Sequence, residues 1–413
     1  MSLMADLLGT VFERRYRPGA PDGRSLVELS QALLSNSGEV SGGALARALL
    51  DRYEVAETSE REAWFAFLTD ELDLDVPTLM TRLQSYVETR DPLEYRNLMA
   101  VAEPPRQELI RRLNQVPGAT ARLVGLRAEL LALLPDWPAL ARLDTDMRHL
   151  FRSWFNRGFL VLRPITWESP AHILEKIIAY EAVHAIDSWS DLRARLEPDD
   201  RRCFAFFHPS MPDEPLIFVE VALTKGVPGS VQGLLSDDRD QLAGRDADTA
   251  VFYSISNCQE GLAGISFGNS LIKQVARDLA RDLPNLGRFV TLSPIPGLMK
   301  WVSEAQVTWP EEADAQRALV AHYLIGEKAR AGRPRDPVAR FHLGNGALVH
   351  QVHAAADTSE NGLRQSGGMM VNYLYDLDRV SDNHEAFVSR GEVAASKEVT
   401  TLARKAAPLV SKT

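Results

Sequence analysis

A helical region followed by a mixed α/β domain is the fold class this sequence predicts, and three observations predict it. Over the first 156 residues, apolar side chains recur at spacings of three and four, the mark of amphipathic helices. From residue 157 onward, short runs rich in β-branched and aromatic residues alternate with helical stretches. The clearest stretch, TAVFYSISNCQEGLAGISFGNSLIKQVARDLARDLPNLGRFVTLSPIPG at 249–297, reads as strand, glycine loop, helix, strand. The expected domains are therefore 1–156 and 157–413.

In the helical region, Leu26, Val27, Leu29, Leu33 and Leu34 mark a first helix ending near Asn36-Ser37-Gly38. A second runs from about Gly43 to Tyr53, and Trp64, Phe65, Phe67, Leu68 and Leu72 mark a third. Pro77 starts a fourth through Leu79, Leu83 and Val87. Leu123, Leu126, Leu130 and Leu133 fit a bundle helix, and Pro104-Pro105, Pro117-Gly118 and Pro138 read as breaks. No chemical constellation marks this half, and His149 reads as a packed or surface histidine.

The pattern then changes. Phe159 to Leu162 is a short strand candidate, followed by a helix with Ile173, Leu174, Ile177 and Ile178 on its inner face. Residues 203–207 and 215–223 read as two strands around a proline- and acid-rich connection, and 236–248 as a solvated acidic loop. Ala250 to Ile255 and Arg288 to Leu292 are strands flanking a helix with Leu271, Ile272, Val275, Ala276 and Leu279 inward. A helix from about Ala313 to Lys328, a break at 331–337 and a final helix from Ser396 to Val410 complete the reading.

The 413 residues are 45% hydrophobic and 25% charged, the balance of a globular chain. A formal charge of -10 and pI near 5.5 argue against a nucleic-acid or anionic-membrane surface. No apolar run reaches membrane-spanning length and the start lacks a signal-peptide pattern, so a cytoplasmic protein is expected. The chain ends Val410-Ser411-Lys412-Thr413, one residue away from a peroxisomal tripeptide, and is not read as an address.

Few residues announce chemistry alone. The two cysteines, Cys203 and Cys258, support neither a disulfide framework nor a zinc cluster, and Cys258 reads as a buried strand-end thiol. Glu181 and His184 read as a solvated pair near a helix end, and His350 with His353 lacks a third metal ligand. The glycine loop has a physical use, since glycines admit a ligand to the backbone and a helix start favours phosphate. It carries neither a Walker lysine nor the dinucleotide spacing, so phosphate binding and a structural turn both remain open on residues alone.

Three motifs carry a resemblance: YSISNCQEGLAGISFGNSLIKQV, LSPIPG and FHLGNGA, in that order. RGFLVLRPITWESPAHILEKIIAYEAVHAI (157–186), CFAFFHPSMPDEPLIFVEVALT (203–224) and NYLYDLD (372–378) support it. Together they resemble the malonyl-CoA decarboxylase family, whose catalytic domain is related to the GCN5-type N-acetyltransferases. The resemblance implies an acetyltransferase-like α/β catalytic domain behind a helical, oligomerisation-type domain. It implies a carboxy-lyase converting malonyl-CoA to acetyl-CoA and CO2, assembled as a homo-oligomer, dimer or tetramer. No metal or organic cofactor is expected, because the thioester carbonyl is itself the electron sink.

Residue by residue, the resemblance assigns catalysis to Ser293 in LSPIPG and His342 in FHLGNGA, with Tyr375 of NYLYDLD lining the site. It assigns the coenzyme A pyrophosphate to Gly261, Leu262, Ala263, Gly264, Ile265, Ser266, Phe267, Gly268, Asn269 and Ser270. Many relatives carry glutamate where this chain has Ser266, so that carboxylate contact is not available here. The other readings to be weighed are a CoA-dependent acyltransferase and a CoA-thioester-binding regulatory module.

Overall fold

The structure, a computed structural model, describes residues 22–36, 38–236, 238–265, 271–329 and 332–406. The chain separates into two compact units, 1–154 with 260–265 and 155–259 with 266–413.

The first unit is helical: Leu26–Ser35, Glu39–Val55, Thr58–Asp70, Val76–Thr89, Pro92–Val101, Pro105–Leu113, Ala119–Leu133 and Ala141–Trp154. Its first helix opens on a capping box, in which Ser25 Oγ accepts from Glu28 N and the Glu28 carboxylate accepts from Ser25 N. Leu26, Leu29 and Leu33 are buried, as are Trp64, Phe65, Phe67 and Leu68 of the third helix. Leu72 lies beyond that helix, which ends at Asp70. Pro105, read as a break, turns out to open a helix, and Asp91 caps another with Pro92 in its first turn.

Helices Val76–Thr89 and Pro92–Val101 pack on each other yet bury no side chain. Their apolar residues Val76, Met80, Leu83, Val87, Leu93, Tyr95 and Met99 remain exposed.

Residues 260–265 belong to this helical unit. Arg127, 1% exposed in its side chain, donates Nη1 to the carbonyls of Gly261 and Ala263 at 2.6 and 3.0 Å, and Nε to Asp144 at 2.8 Å. A Cβ at Gly261 would run into the Val124 carbonyl oxygen, so only glycine permits this approach.

The second unit is built on one sheet. Its strands are β1 (Val161–Ile165), β2 (Arg201–His208), β3 (Met211–Thr224), β4 (Thr249–Asn257), β5 (Arg288–Thr291), β6 (Ser293–Pro294), β7 (Leu348–His353) and β8 (Met370–Leu374). The order is β1-β2-β3-β4-β5-β8-β6, with β7 pairing β8. β1 to β4 run antiparallel, and β8 is antiparallel to β5, β6 and β7. β4 and β5 are parallel, which demands a crossover. Helix Leu271–Asp282 supplies it and buries Leu271, Ile272, Val275, Ala276 and Leu279, the stripe its spacing predicts.

Local chemistry sets the details. Pro164 is tolerated because β1 pairs only with β2 in the strand order, at the sheet edge. The β2–β3 connection is tighter than expected: strands reach His208 and Met211, leaving only Pro209-Ser210 between. In β4, Glu220 faces Ser254 and Val221 faces Phe252, so Tyr253 is the extra residue of a bulge. Helix Pro337–Gly344 was not expected, although Asp336-Pro337 is a cap followed by a first-turn proline. The final helix is Lys397–Lys405, and its expected continuation from 407 lies outside the described residues.

Replacing Arg127 by methionine leaves Asp144 without its cation and two carbonyls without their donor. The variant should lose about 3–5 kcal/mol in denaturant unfolding, the scale of removing one partner of a buried pair. A loss below about 1 kcal/mol would place this contact among surface ion pairs.

Candidate active site

β5 ends at Thr291, and after Leu292 the chain re-pairs with β8 through Ser293 and Pro294. Thr291 Oγ1 accepts the Tyr373 N–H at 3.1 Å and the Ser293 hydroxyl at 2.8 Å, holding Ser293 from behind. His342 comes from the last turn of helix Pro337–Gly344, and Tyr375 directly follows β8.

The fold brings these three together. Ser293 Oγ lies 3.2 Å from His342 Nε2, and His342 Nδ1 lies 2.8 Å from Tyr375 Oη. The Tyr373 ring stacks on the imidazole with centroids 4.6 Å apart. All three site residues are buried.

Burial decides the protonation. It pushes His342 down to about 3, so the ring is neutral at physiological pH. It pushes the Tyr375 phenol well above its ordinary range, so that hydroxyl keeps its proton. The network then assigns one tautomer. Tyr375 donates to Nδ1, Nε2–H points to Ser293 Oγ, and the Ser293 hydroxyl donates to Thr291. His342 thus presents a proton, not a lone pair, to the serine.

The Ser293–His342 pair opens on a cavity of about 270 Å³. Val183, Ile217, Val219, Phe252, Ile255, Leu292 and Phe341 line it, with Leu271 and Ile272 from the start of the crossover helix. Asn257 adds an amide, and no arginine or lysine occurs among its described lining residues.

Of the loop residues assigned to the pyrophosphate, Gly261 to Ile265 are described, while Ser266, Phe267, Gly268, Asn269 and Ser270 lie outside the described residues. Gly264 has φ +73°, a left-handed conformation that side chains resist. The Arg148 guanidinium lies 3.5 Å from where its Cβ would sit.

The remaining candidates are structural. The Glu181 carboxylate accepts the N–H groups of Val183 and His184 at 2.7 and 2.8 Å and the Ser254 hydroxyl at 2.7 Å, tying the chain just beyond a helix that ends at Tyr180. His184 is lowered to about 4 by burial. His353 Nε2 pairs with the Asn372 side chain, and no three-residue metal group exists among the described residues. Burial raises the Cys258 thiol, which makes it a poor nucleophile. Thr291 and Asp336 escaped the sequence reading. A strand threonine carries no signal, whereas Asp336 stood in a legible Asp-Pro helix start.

Comparison with known proteins gives the family. Residues 73–155 match the malonyl-CoA decarboxylase N-terminal domain, and residues 158–316 and 311–412 match its C-terminal domain. The chain is 36% identical over 349 residues to the mitochondrial malonyl-CoA decarboxylase of Anser anser anser, covering 72% of this chain and 69% of that protein. The chain belongs to the malonyl-CoA decarboxylase family. Another family member, the mitochondrial enzyme of Mus musculus, is 34% identical over 356 residues, 72% of this chain and 71% of its own. The crystal structure of malonyl-CoA decarboxylase from Rhodopseudomonas palustris superposes with a TM-score of 0.87 at 48% identity, covering 93% of this chain and 100% of that one. The Agrobacterium vitis malonyl-CoA decarboxylase does so with 0.87 at 47% identity, covering 91% and 99%. Among the described residues no helix is long and apolar enough to cross a membrane. The animal members of the family are named as mitochondrial, a location the cytoplasmic expectation did not include.

Neutral burial of His342 has a pH signature. Its folded pKa of about 3 lies below the ordinary 6.5, so between these values the unfolded chain binds a proton that the folded chain does not. The stability contribution is complete above the ordinary value and is lost as pH falls toward the folded one. His342→Gln should therefore remove roughly 1.4 kcal/mol per pH unit from the slope of unfolding free energy in that window. Denaturant melts over the acidic range measure it, and an unchanged slope would contradict the neutral burial.

Proposed function

We propose that this chain decarboxylates malonyl-CoA to acetyl-CoA and CO2, with Ser293 and His342 supplying the proton that replaces the lost carboxylate. Family membership supports the substrate. The observation that carries the mechanism is the hydrogen-bonded chain Tyr375–His342–Ser293 ending at an apolar cavity.

In this reading the malonyl carboxylate enters surroundings that solvate a charge poorly, and leaving as neutral CO2 relieves that. The C–C bond breaks, and its electron pair moves into the thioester as an enolate, so the substrate is its own electron sink and no cofactor is invoked. With substrate bound, the Ser293 hydroxyl turns from Thr291 to the developing negative charge and then protonates the α-carbon. His342 Nε2–H restores the serine as Nδ1 takes the Tyr375 hydroxyl proton, so the ring stays neutral, and one proton from solvent returns to Tyr375 to balance each turnover. The tautomer favours this over acyl transfer to an amine, because such a transfer needs a base and His342 offers a proton. A regulatory binding module would have no use for this serine–histidine–tyrosine chain.

The same reading places the coenzyme A pyrophosphate on the backbone of the 261–270 loop, where the left-handed Gly264 fits a close ligand approach. It also assigns the exposed apolar pair Val76–Thr89 and Pro92–Val101 to contact with a second copy in a homo-oligomer, dimer or tetramer.

Incubation with malonyl-CoA alone should yield acetyl-CoA and CO2; product only after adding an amine acceptor would support transfer instead. Ser293→Ala and His342→Asn should each lower turnover by about a hundredfold or more with coenzyme A affinity unchanged. The double variant should be scarcely worse than the poorer single one, because either change breaks one relay. Fully multiplicative losses would separate the two residues. For the loop, Gly264→Val should weaken coenzyme A binding in calorimetry while the helical unit stays folded, and unchanged affinity would remove the loop from the site.

A further inference from the structure

One buried carboxylate ties together the segments that carry Ser293 and His342. Asp336 is fully buried, and its two oxygens serve different partners. Oδ1 accepts the Ala339 N–H at 2.9 Å, capping the helix that bears His342. Oδ2 accepts the Gly297 N–H at 3.1 Å, at the end of Ser293-Pro294-Ile295-Pro296-Gly297.

That second segment is held at its start by the pairing of Ser293 and Pro294 with β8, and fewer bonds hold its far end. Pro294 and Pro296 have no N–H, and the two remaining N–H groups after Ser293 go to side chains. Ile295 donates to Ser366 Oγ at 3.1 Å, and Gly297 donates to Asp336. A helix cap needs only one acceptor oxygen, which asparagine or serine supplies as well as aspartate. An ionised carboxylate offers two acceptor oxygens, where an amide or hydroxyl offers one. The Gly297 bond is thus a use of Asp336 that capping does not require.

We propose that Asp336 is a positioning residue that sets the separation of Ser293 and His342, acting on the reaction through that pair. The proposal rests on the reading of Ser293 and His342 as the proton-delivering pair. When the Gly297 tie is lost, the segment bearing Ser293 relaxes relative to the His342 helix, and misplacement of about 1 Å costs up to about a hundredfold in rate.

The test uses Asp336→Asn and Asp336→Ser, each in the wild-type and Ser293→Ala backgrounds. Both replacements keep the cap and drop the tie. The folded variants should keep KM for malonyl-CoA within about twofold and lose about tenfold or more in kcat. In the Ser293→Ala background neither should lower the residual rate further. Wild-type kcat in a folded Asn or Ser variant, or a fully multiplicative loss with Ser293→Ala, overturns the proposal. Wild-type turnover in Ser293→Ala alone would instead overturn the pair on which it rests, which keeps the two failures apart. Amide hydrogen exchange on the unaltered protein needs no variant. The Gly297 N–H should be protected together with that of Ala339, and unprotected exchange at Gly297 removes the tie.

Discussion

The hydrogen bond between Ser293 and His342 joins residues 49 positions apart, and the arrangement of the α/β unit serves to make it. β8 pairs with β5 and with the Ser293-bearing β6, and it carries Tyr373 against one face of the imidazole. Tyr375, one step further, closes the other ring nitrogen. Sealed from water, the ring cannot carry a charge cheaply, so burial itself settles which atoms bear protons. A more exposed histidine in the same place would titrate near neutrality and alternate between donor and acceptor.

The two units bear different loads. In the helical unit, Arg127 ties the carbonyls of Gly261 and Ala263 to Asp144, a buried ionic contact whose donors are matched to acceptors. In the α/β unit the polar groups behind Ser293, namely Thr291, Ser366 and Asp336, are each satisfied by a specific bond. Satisfied buried polar groups define one arrangement, which apolar packing alone would leave adjustable.

Much of this was legible in the residues. The crossover helix repeats its apolar face so regularly that Leu271, Ile272, Val275, Ala276 and Leu279 could be placed before any coordinates. Ser293, His342 and Tyr375 were assigned through their motifs, since nothing local marks a strand-end serine or a histidine among apolar neighbours. What stayed hidden depends on tertiary contacts. The bulge at Tyr253 exists only in the pairing of β3 with β4. The Thr291–Tyr373 contact crosses 82 residues, and the Gly297–Asp336 tie crosses 39. The prolines at 105 and 337 were read as interruptions because proline breaks a helix interior; here each sits in a first turn, where its missing N–H costs nothing.

The account stands on the protonation of one ring, and nitrogen-15 resonance of histidine-labelled protein reads it directly. With the His342 signals assigned by their loss in His342→Gln, the spectrum at neutral pH should show a neutral imidazole with its proton on Nε2. Tyr375→Phe, which removes the donor to Nδ1, should erase that tautomer preference. An imidazolium at neutral pH, or a proton held on Nδ1 in the unaltered protein, would contradict the account.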